Sequence, residues 1–202
     1  MKLSHFKKYF THFWLAAPFP DFGDCFQTTS RQMYVLCNSW ETGRSAGGSN
    51  LENADEFLKN PQYVLTVEEA DGQLQTLCES EKDIAPTCDV VIQLIQEQNR
   101  GKFSKKLHTI GITVFQIGGR FPKRLTADNV EEFEPLSASV APTQESCVVA
   151  RLAVAPGRYV VVPTAEEVDI SRRFLLRVYS RKPIQFQEEK PFQHGALRWR
   201  LR

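Results

Sequence analysis

Apolar residues recur along this chain at two periods, and the change between them marks a boundary. Over residues 3–14, Leu3, Phe6, Phe10, Phe13 and Trp14 fall three and four apart, which is one stripe of a helix. Ser4 is placed to cap that helix, and Lys7 and Lys8 sit off the stripe. Residues 15–30 carry Pro18, Pro20 and Gly23 among Asp, Thr and Ser, and read as a linker. Beyond it the period falls to two. Arg31–Cys37, Gln62–Glu69, Cys88–Gln96, His108–Ile117, Cys147–Val154, Arg158–Pro163 and Arg173–Ser180 are strand candidates separated by turn residues. Tyr63, Leu65 and Val67 should share one face, and the unbroken run Val160-Val161-Val162 suits a strand buried on both faces. Many short strands and one helix predict an all-β, antiparallel sandwich. The stretch 118–146 is long and poorly periodic, and is expected to be a functional or mobile loop. Pro156-Gly157 is expected to be a tight turn in which Gly157 has positive φ, so that Gly157→Val would disturb strand pairing.

Composition narrows the function. The chain has 202 residues, 42% of them hydrophobic, with 25 Lys plus Arg against 24 Asp plus Glu. A net charge of +1 supplies no field for nucleic acid, so no nucleic-acid partner is expected. No run of 18 apolar residues occurs, and Thr11 and His12 interrupt the hydrophobic patch that would otherwise resemble a signal peptide. Five cysteines stand at irregular spacings with no CxxC pair, which reads as free thiols in a reducing compartment, with Cys88 and Cys147 as small core residues.

Candidate chemistry is sparse. His5 and His12 are seven apart, where a helical metal pair prefers four, and no third ligand accompanies them. The loop Gly43-Arg44-Ser45-Ala46-Gly47-Gly48 lacks both the phosphate-loop spacing and the G-x-S-x-G hydrolase elbow. A structural turn explains it better.

That loop opens a series of blocks that resembles a known family. Ser39-Trp40-Glu41, then Ser45-Ala46-Gly47-Gly48-Ser49-Asn50, Phe57 and Asn60-Pro61-Gln62-Tyr63 are similar to the start of the β-sandwich that follows the protease core in calpain-type cysteine proteases. Ile92-Gln93-Leu94-Ile95-Gln96 with Asn99-Arg100, Thr109-Ile110-Gly111-Ile112, Pro156-Gly157-Arg158-Tyr159-Val160-Val161-Val162-Pro163-Thr164 and Phe174-Leu175-Leu176-Arg177-Val178-Tyr179-Ser180 follow in the family's order. The resemblance, to calpain domain III, covers about residues 33–182, and Leu3–Phe13 is similar to the helix that closes the protease core. It implies a C2-like sandwich of about eight strands over residues 31–182. A helix and linker (1–30) would precede it, and a basic tail (183–202) would follow.

The same resemblance implies a non-catalytic regulatory module of a calcium-dependent protease, cytoplasmic and peripheral to membranes. Its partners would be a calpain-type protease core and anionic membrane lipid. Two alternatives stand beside this: the end of a calpain-like endopeptidase acting as one protein, and a stand-alone phospholipid-binding module. No block matches the family's catalytic Cys, His or Asn. Asn60-Pro61 is followed by Gln62, where the catalytic motif has Trp. No EF-hand loop occurs. Gly47-Gly48 precede Ser49-Asn50, where family members often have Cys-Arg.

Calcium is the one cofactor implied. Glu68, Glu69 and Asp71 in one loop and Glu166, Glu167 and Asp169 in another are its candidate ligands, though family members often carry a denser acidic loop at the first. Candidate contacts to lipid or an acidic partner are Arg100, Lys102, Lys105 and Lys106 in one connection and Arg172 and Arg173 at the last expected strand. The tail Leu197-Arg198-Trp199-Arg200-Leu201-Arg202 alternates cation with apolar residue.

Overall fold

Two antiparallel sheets face each other in a computed structural model of the chain, which describes residue 8 and residues 32–70, 87–97, 106–118 and 124–189. Nine strands build them: β1 (Gln32–Trp40), β2 (Gln62–Val67), β3 (Cys88–Gln96), β4 (Ile110–Ile117), β5 (Val140–Thr143), β6 (Cys147–Val154), β7 (Gly157–Ala165), β8 (Arg172–Ser180) and β9 (Ile184–Glu189). One sheet has the order β1-β8-β3-β6, and the other β5-β4-β7-β2-β9. The fold is thus the expected sandwich. All seven expected strands are present, and β5 and β9 are added. The expected helix over 3–14 lies outside the described residues, apart from Lys8, which is helical and exposed.

The alternating pattern sets the core. Val90, Ile92 and Leu94 of β3 and Leu176 and Val178 of β8 point inward from one sheet. Tyr63 and Leu65 of β2, Ile110, Ile112 and Val114 of β4 and Tyr159 and Val161 of β7 meet them from the other. Three long side chains tie the layers together by hydrogen bonds. Trp40 Nε1 donates to the Pro163 carbonyl at 3.2 Å, Asn38 Nδ2 donates to Tyr63 Oη at 2.9 Å, and the Ile184 amide donates to Tyr34 Oη at 3.4 Å. Trp40 also packs on Phe174, with ring centroids 4.5 Å apart.

β7 is the centre of its sheet and is buried on both faces, as its valine run predicts. Its second face is covered by a smaller core, in which Val64, Phe115, Ile117, Val160 and Val162 meet Phe57 and Leu125. Two connections build this cover. One is the turn containing the short helix Ala54–Phe57, and the other is the segment from Arg124 through the 3-10 helix Val130–Glu132. The expectation of a functional or mobile loop over 118–146 is therefore corrected for its described part. Leu125 and Val130 are buried, Leu136 N donates to Val114 O at 2.7 Å, and Val140–Thr143 is a strand. Poor periodicity hid a segment whose apolar residues are placed by the surface they cover.

Three further expectations are corrected. Gly157 does not have positive φ, unlike Gly43 and Gly48, and a Cβ on it would meet its neighbours at 3.7 Å or more, an ordinary contact. Cys147 is half-buried on the outer face of its sheet rather than in the core, while Cys88 is fully buried as expected. The sandwich runs past residue 182, because β9 pairs with β2 along the outer edge of the five-stranded sheet. No helix among the described residues is long and apolar enough to cross a membrane.

Candidate functional site

Expected ligand residues fall at opposite ends of the sandwich. β2 runs antiparallel to β7 with Val67 opposite Gly157, so Glu68 and Glu69 sit at the start of β7. Glu166, Glu167 and Asp169 follow its end at Ala165. Eight residues of strand at ~3.4 Å each separate the two acidic groups by roughly 27 Å. One ion cannot bridge them. Asp71 lies outside the described residues, and among the described residues no group of three His, Cys, Asp or Glu is placed to hold a metal ion.

Four of these acidic side chains, two at each end, already have partners. Gln185 Nε2 donates to Glu68 at 2.6 Å, and Lys182 stands 3.5 Å from Glu69. At the other end His108 Nδ1 pairs with Glu167 at 2.8 Å. Asp169 holds the left-handed conformation, with φ 57°, and its carboxylate accepts from the Gly43 amide at 2.9 Å. Its carbonyl accepts from Thr42 Oγ1 at 2.7 Å, and its own amide donates to Ala46 O at 3.1 Å. Asp169 thus closes the 41–47 turn onto the loop before β8.

The described basic candidates, Lys106, Arg172 and Arg173, lie at the Glu166–Asp169 end. Arg172 is 6% exposed. Its two terminal nitrogens donate to the Glu97 carbonyl at 3.1 Å and the Lys106 carbonyl at 3.0 Å, while Nε is buried without a partner. The side chain is a brace between the stems of the 98–105 connection, not a cation facing solvent. Gln96 braces the same place, donating to the carbonyls of His108 and Glu145 at 2.7 Å each and accepting from the His108 amide at 3.0 Å. Lys106 and Arg173 are exposed on either side of this brace. Arg100, Lys102, Lys105 and the tail 197–202 lie outside the described residues. One cleft of about 860 Å³ opens beside Arg173, with Cys37, Ile95, Glu97 and Leu175 among its lining residues.

Polar side chains in the interior are occupied with architecture. Asn60 accepts from the Gly47 amide at 3.2 Å and donates to the carbonyls of Gly48 at 2.7 Å and Phe57 at 2.9 Å. Gln62 exchanges two hydrogen bonds with the backbone of Leu125, at 2.8 and 3.2 Å. Arg124 donates to the carbonyls of Leu58 and Glu189 at 2.9 Å each, and burial lowers its pKa. The block Asn60-Pro61-Gln62-Tyr63 therefore fixes the glycine loop, the covering segment and the sheet-to-sheet contact, one residue each. Its asparagine is a loop anchor. Burial pushes the Cys147 thiol up, with Arg177 pulling less strongly the other way, so this cysteine lacks the lowered pKa of a nucleophile. Sequence reasoning did not find the braces Arg172, Gln96 and Gln62. Gln96 and Arg172 stand in register with the inward residues of β3 and β8, which was their one signal, whereas Gln62 gave none, because it falls on the face opposite Tyr63 and Leu65.

Comparison with known proteins accounts for the arrangement. A family model described as calpain large subunit, domain III, matches residues 36–179. The calpain-2 catalytic subunit of Mus musculus is 27% identical over 198 residues, covering 93% of this chain and 26% of the relative. Calpain-14 of Homo sapiens is 30% identical over 151 residues, 73% of this chain and 21% of the relative. Calpain-A of Drosophila melanogaster is 27% identical over 163 residues, 78% of this chain and 18% of the relative. The chain thus spans about a quarter or less of the length of these relatives. Two packed sheets in this order, the braced glycine loop and a family match over most of the chain lead to one conclusion: the chain belongs to the calpain large-subunit domain III family.

Proposed function

We propose that this chain is a non-catalytic regulatory sandwich of a calpain-like cysteine protease. It works by contact, and the end that exposes Lys106 and Arg173 engages anionic surfaces, either an acidic patch of a protease core or the headgroups of a cytoplasmic membrane. The observation that carries this reading is the brace at the Glu97 and Lys106 stems. Arg172 and Gln96 fix the stems of the 98–105 connection from inside, and Lys106 and Arg173 face solvent beside it. Each near-surface cation contributes ~1 kcal/mol toward an anionic membrane, so a few of them give weak, salt-sensitive binding. The buried polar groups support a non-catalytic role, because Asn60, Gln62, Gln96 and Arg172 are bound to backbone rather than presented to a substrate.

Co-sedimentation with phosphatidylserine vesicles tests the Lys106 and Arg173 end. Binding is expected at low salt, without need of calcium, and should fade toward physiological salt. Reversing both exposed charges with Lys106→Glu and Arg173→Glu should lower it at least about tenfold. Absence of binding at every salt concentration overturns the lipid reading. Binding that requires calcium transfers the role to Glu166 and Glu167. The pure chain is also expected to leave casein intact with or without calcium, and thiol-dependent cleavage by it overturns the non-catalytic reading.

A further inference from the structure

The cleft of about 860 Å³ beside Arg173 lies on the outer face of the β1-β8-β3-β6 sheet. Phe174, Leu176 and Val178 of β8 point into the core, so Arg173, Leu175 and Arg177 point away from it. Strand register sets Cys37, Leu175 and Ile95 side by side across β1, β8 and β3. Ser39 and Arg173 begin the next row, and Glu97 continues it, its amide donating to the Arg173 carbonyl at 2.9 Å. The two rows line a groove that crosses the strands. Leu175 and Ile95 are half-buried and make an apolar floor, with Arg173 and Glu97 exposed along one wall. Arg177 stands on the other side of Leu175. Its charge acts on Cys147 of β6, two strands away, so its side chain is directed over β3. Arg173 and Arg177 form no ion pair among the described residues.

We propose that this groove docks an extended acidic peptide segment of a partner protein, with carboxylates at Arg173 and Arg177 and apolar side chains on Leu175 and Ile95. Charge selects the sign of the partner. Two guanidinium groups without a carboxylate partner flank the floor against the single carboxylate of Glu97, and a guanidinium fork matches a carboxylate in two hydrogen bonds. The floor selects against a wholly polar anion, because Leu175 and Ile95 gain only from apolar groups laid on them. Val35 and Val149, 44 and 41% exposed in the row of Arg177, continue that apolar surface at both margins. Size fits a short segment. Four strands about 4.8 Å apart span roughly 14 Å, the length of about four extended residues. The groove goes beyond the vesicle-binding reading and shares only Arg173 with it. Arg173 is left unchanged in the test, so either reading can fail without the other.

The probe is a fluorescein-labelled peptide that alternates Glu with Leu, read by fluorescence anisotropy against two controls, one with Lys for Glu and one with Ser for Leu. Saturable binding is expected for the first peptide and not for the controls. Arg177→Glu should weaken it at least about fivefold, and Glu97→Gln should strengthen it about twofold or more. Should Arg177→Glu lower Tm, Arg177→Gln, which keeps the length and removes the charge, should still weaken binding about twofold or more. Cys37, exposed at the β1 end of the groove, locates the peptide. Its alkylation by iodoacetamide, followed by mass spectrometry with buried Cys88 as the unreactive reference, should slow several-fold when the peptide is bound. Equal binding of the Lys or Ser peptide overturns the proposal, as does binding that leaves Cys37 unprotected or is indifferent to Arg177. Loss in Lys106→Glu as large as in Arg177→Glu assigns the peptide to the Lys106 end and overturns it too. Cys37 already slow in the peptide-free chain shows the groove filled by another part of the chain or, where dilution restores the rate, by a second copy, and overturns it in either case.

Discussion

Gly47 has no room for a side chain. A Cβ built there would overlap the backbone carbonyl oxygen of Glu56, and backbone cannot swing aside as a side-chain end can. Gly47→Ala should therefore cost about 2–4 kcal/mol, read as a fall in Tm, because the helix Ala54–Phe57 or the loop must move. Gly157→Ala should change Tm little, since its added methyl finds ordinary contacts and its φ is not left-handed. Asn60 acts in the same place by hydrogen bonding. Asn60→Ala strands the Gly47 amide and the Gly48 carbonyl in the interior, and should cost about 2–3 kcal/mol. An Asn60→Ala protein with unchanged Tm would show that the loop finds other partners. The two glycines and the asparagine were visible in the sequence as parts of recognisable blocks. Their meeting was not, because Gly47 and Asn60 stand thirteen positions apart with a short helix between them and the pairing exists only in the fold.

Strands were legible wherever one face met the core and the other met water. β6 alternates buried and exposed residues almost without a break, and its bounds match the expectation. Where a strand is covered on both faces, or is short and largely polar, the alternation fades. β9 is an edge strand whose sequence, IQFQEE, buries Ile184 and is otherwise half-buried or exposed, and so it resembles a tail. Its anchor is Phe186, stacked on Tyr63 with ring centroids 5.6 Å apart. Tyr63 also gives this element pair a pH dependence. Burial raises its pKa well above the ordinary tyrosine value, Asn38 opposes by donating a hydrogen bond, and Glu188 of β9 adds to the rise. Burial raises Tyr159 as well. Both phenols stay protonated in the fold while the unfolded chain ionises near pH 10, so their contribution is complete below about pH 10 and is lost as pH rises above it. Tm should fall steeply over that range, and Tyr63→Phe with Tyr159→Phe should flatten the decline. A parent protein whose Tm holds from pH 9 to 11 would contradict the burial of these phenols.

Taken as a molecule, the sandwich is closed by its last two strands, and they carry unequal shares. β8 pairs on one side with β1, more than 130 residues earlier in the chain, and on the other with β3. It supplies Phe174, Leu176 and Val178 to the core. Without it β1 has no partner, and β3 and β6 form a two-stranded ribbon, which is not stable alone. β9 covers one edge of the second sheet and contributes Ile184 and the Phe186 ring. A chain ending at Ser171 should therefore lack cooperative melting and near-ultraviolet dichroism. A chain ending at Lys182 should keep both, with stability lowered by about 2–5 kcal/mol for the lost burial of Ile184 and Phe186. The contrast separates two descriptions of the same topology. If the chain ending at Ser171 still melts cooperatively, the β5-β4-β7-β2 part of the second sheet folds on its own and the first sheet is an attachment to it. If it does not, β8 is what makes the two sheets one folding unit, and the core forms only after the chain has been made almost to its end, because β1 must wait for a partner more than 130 residues away.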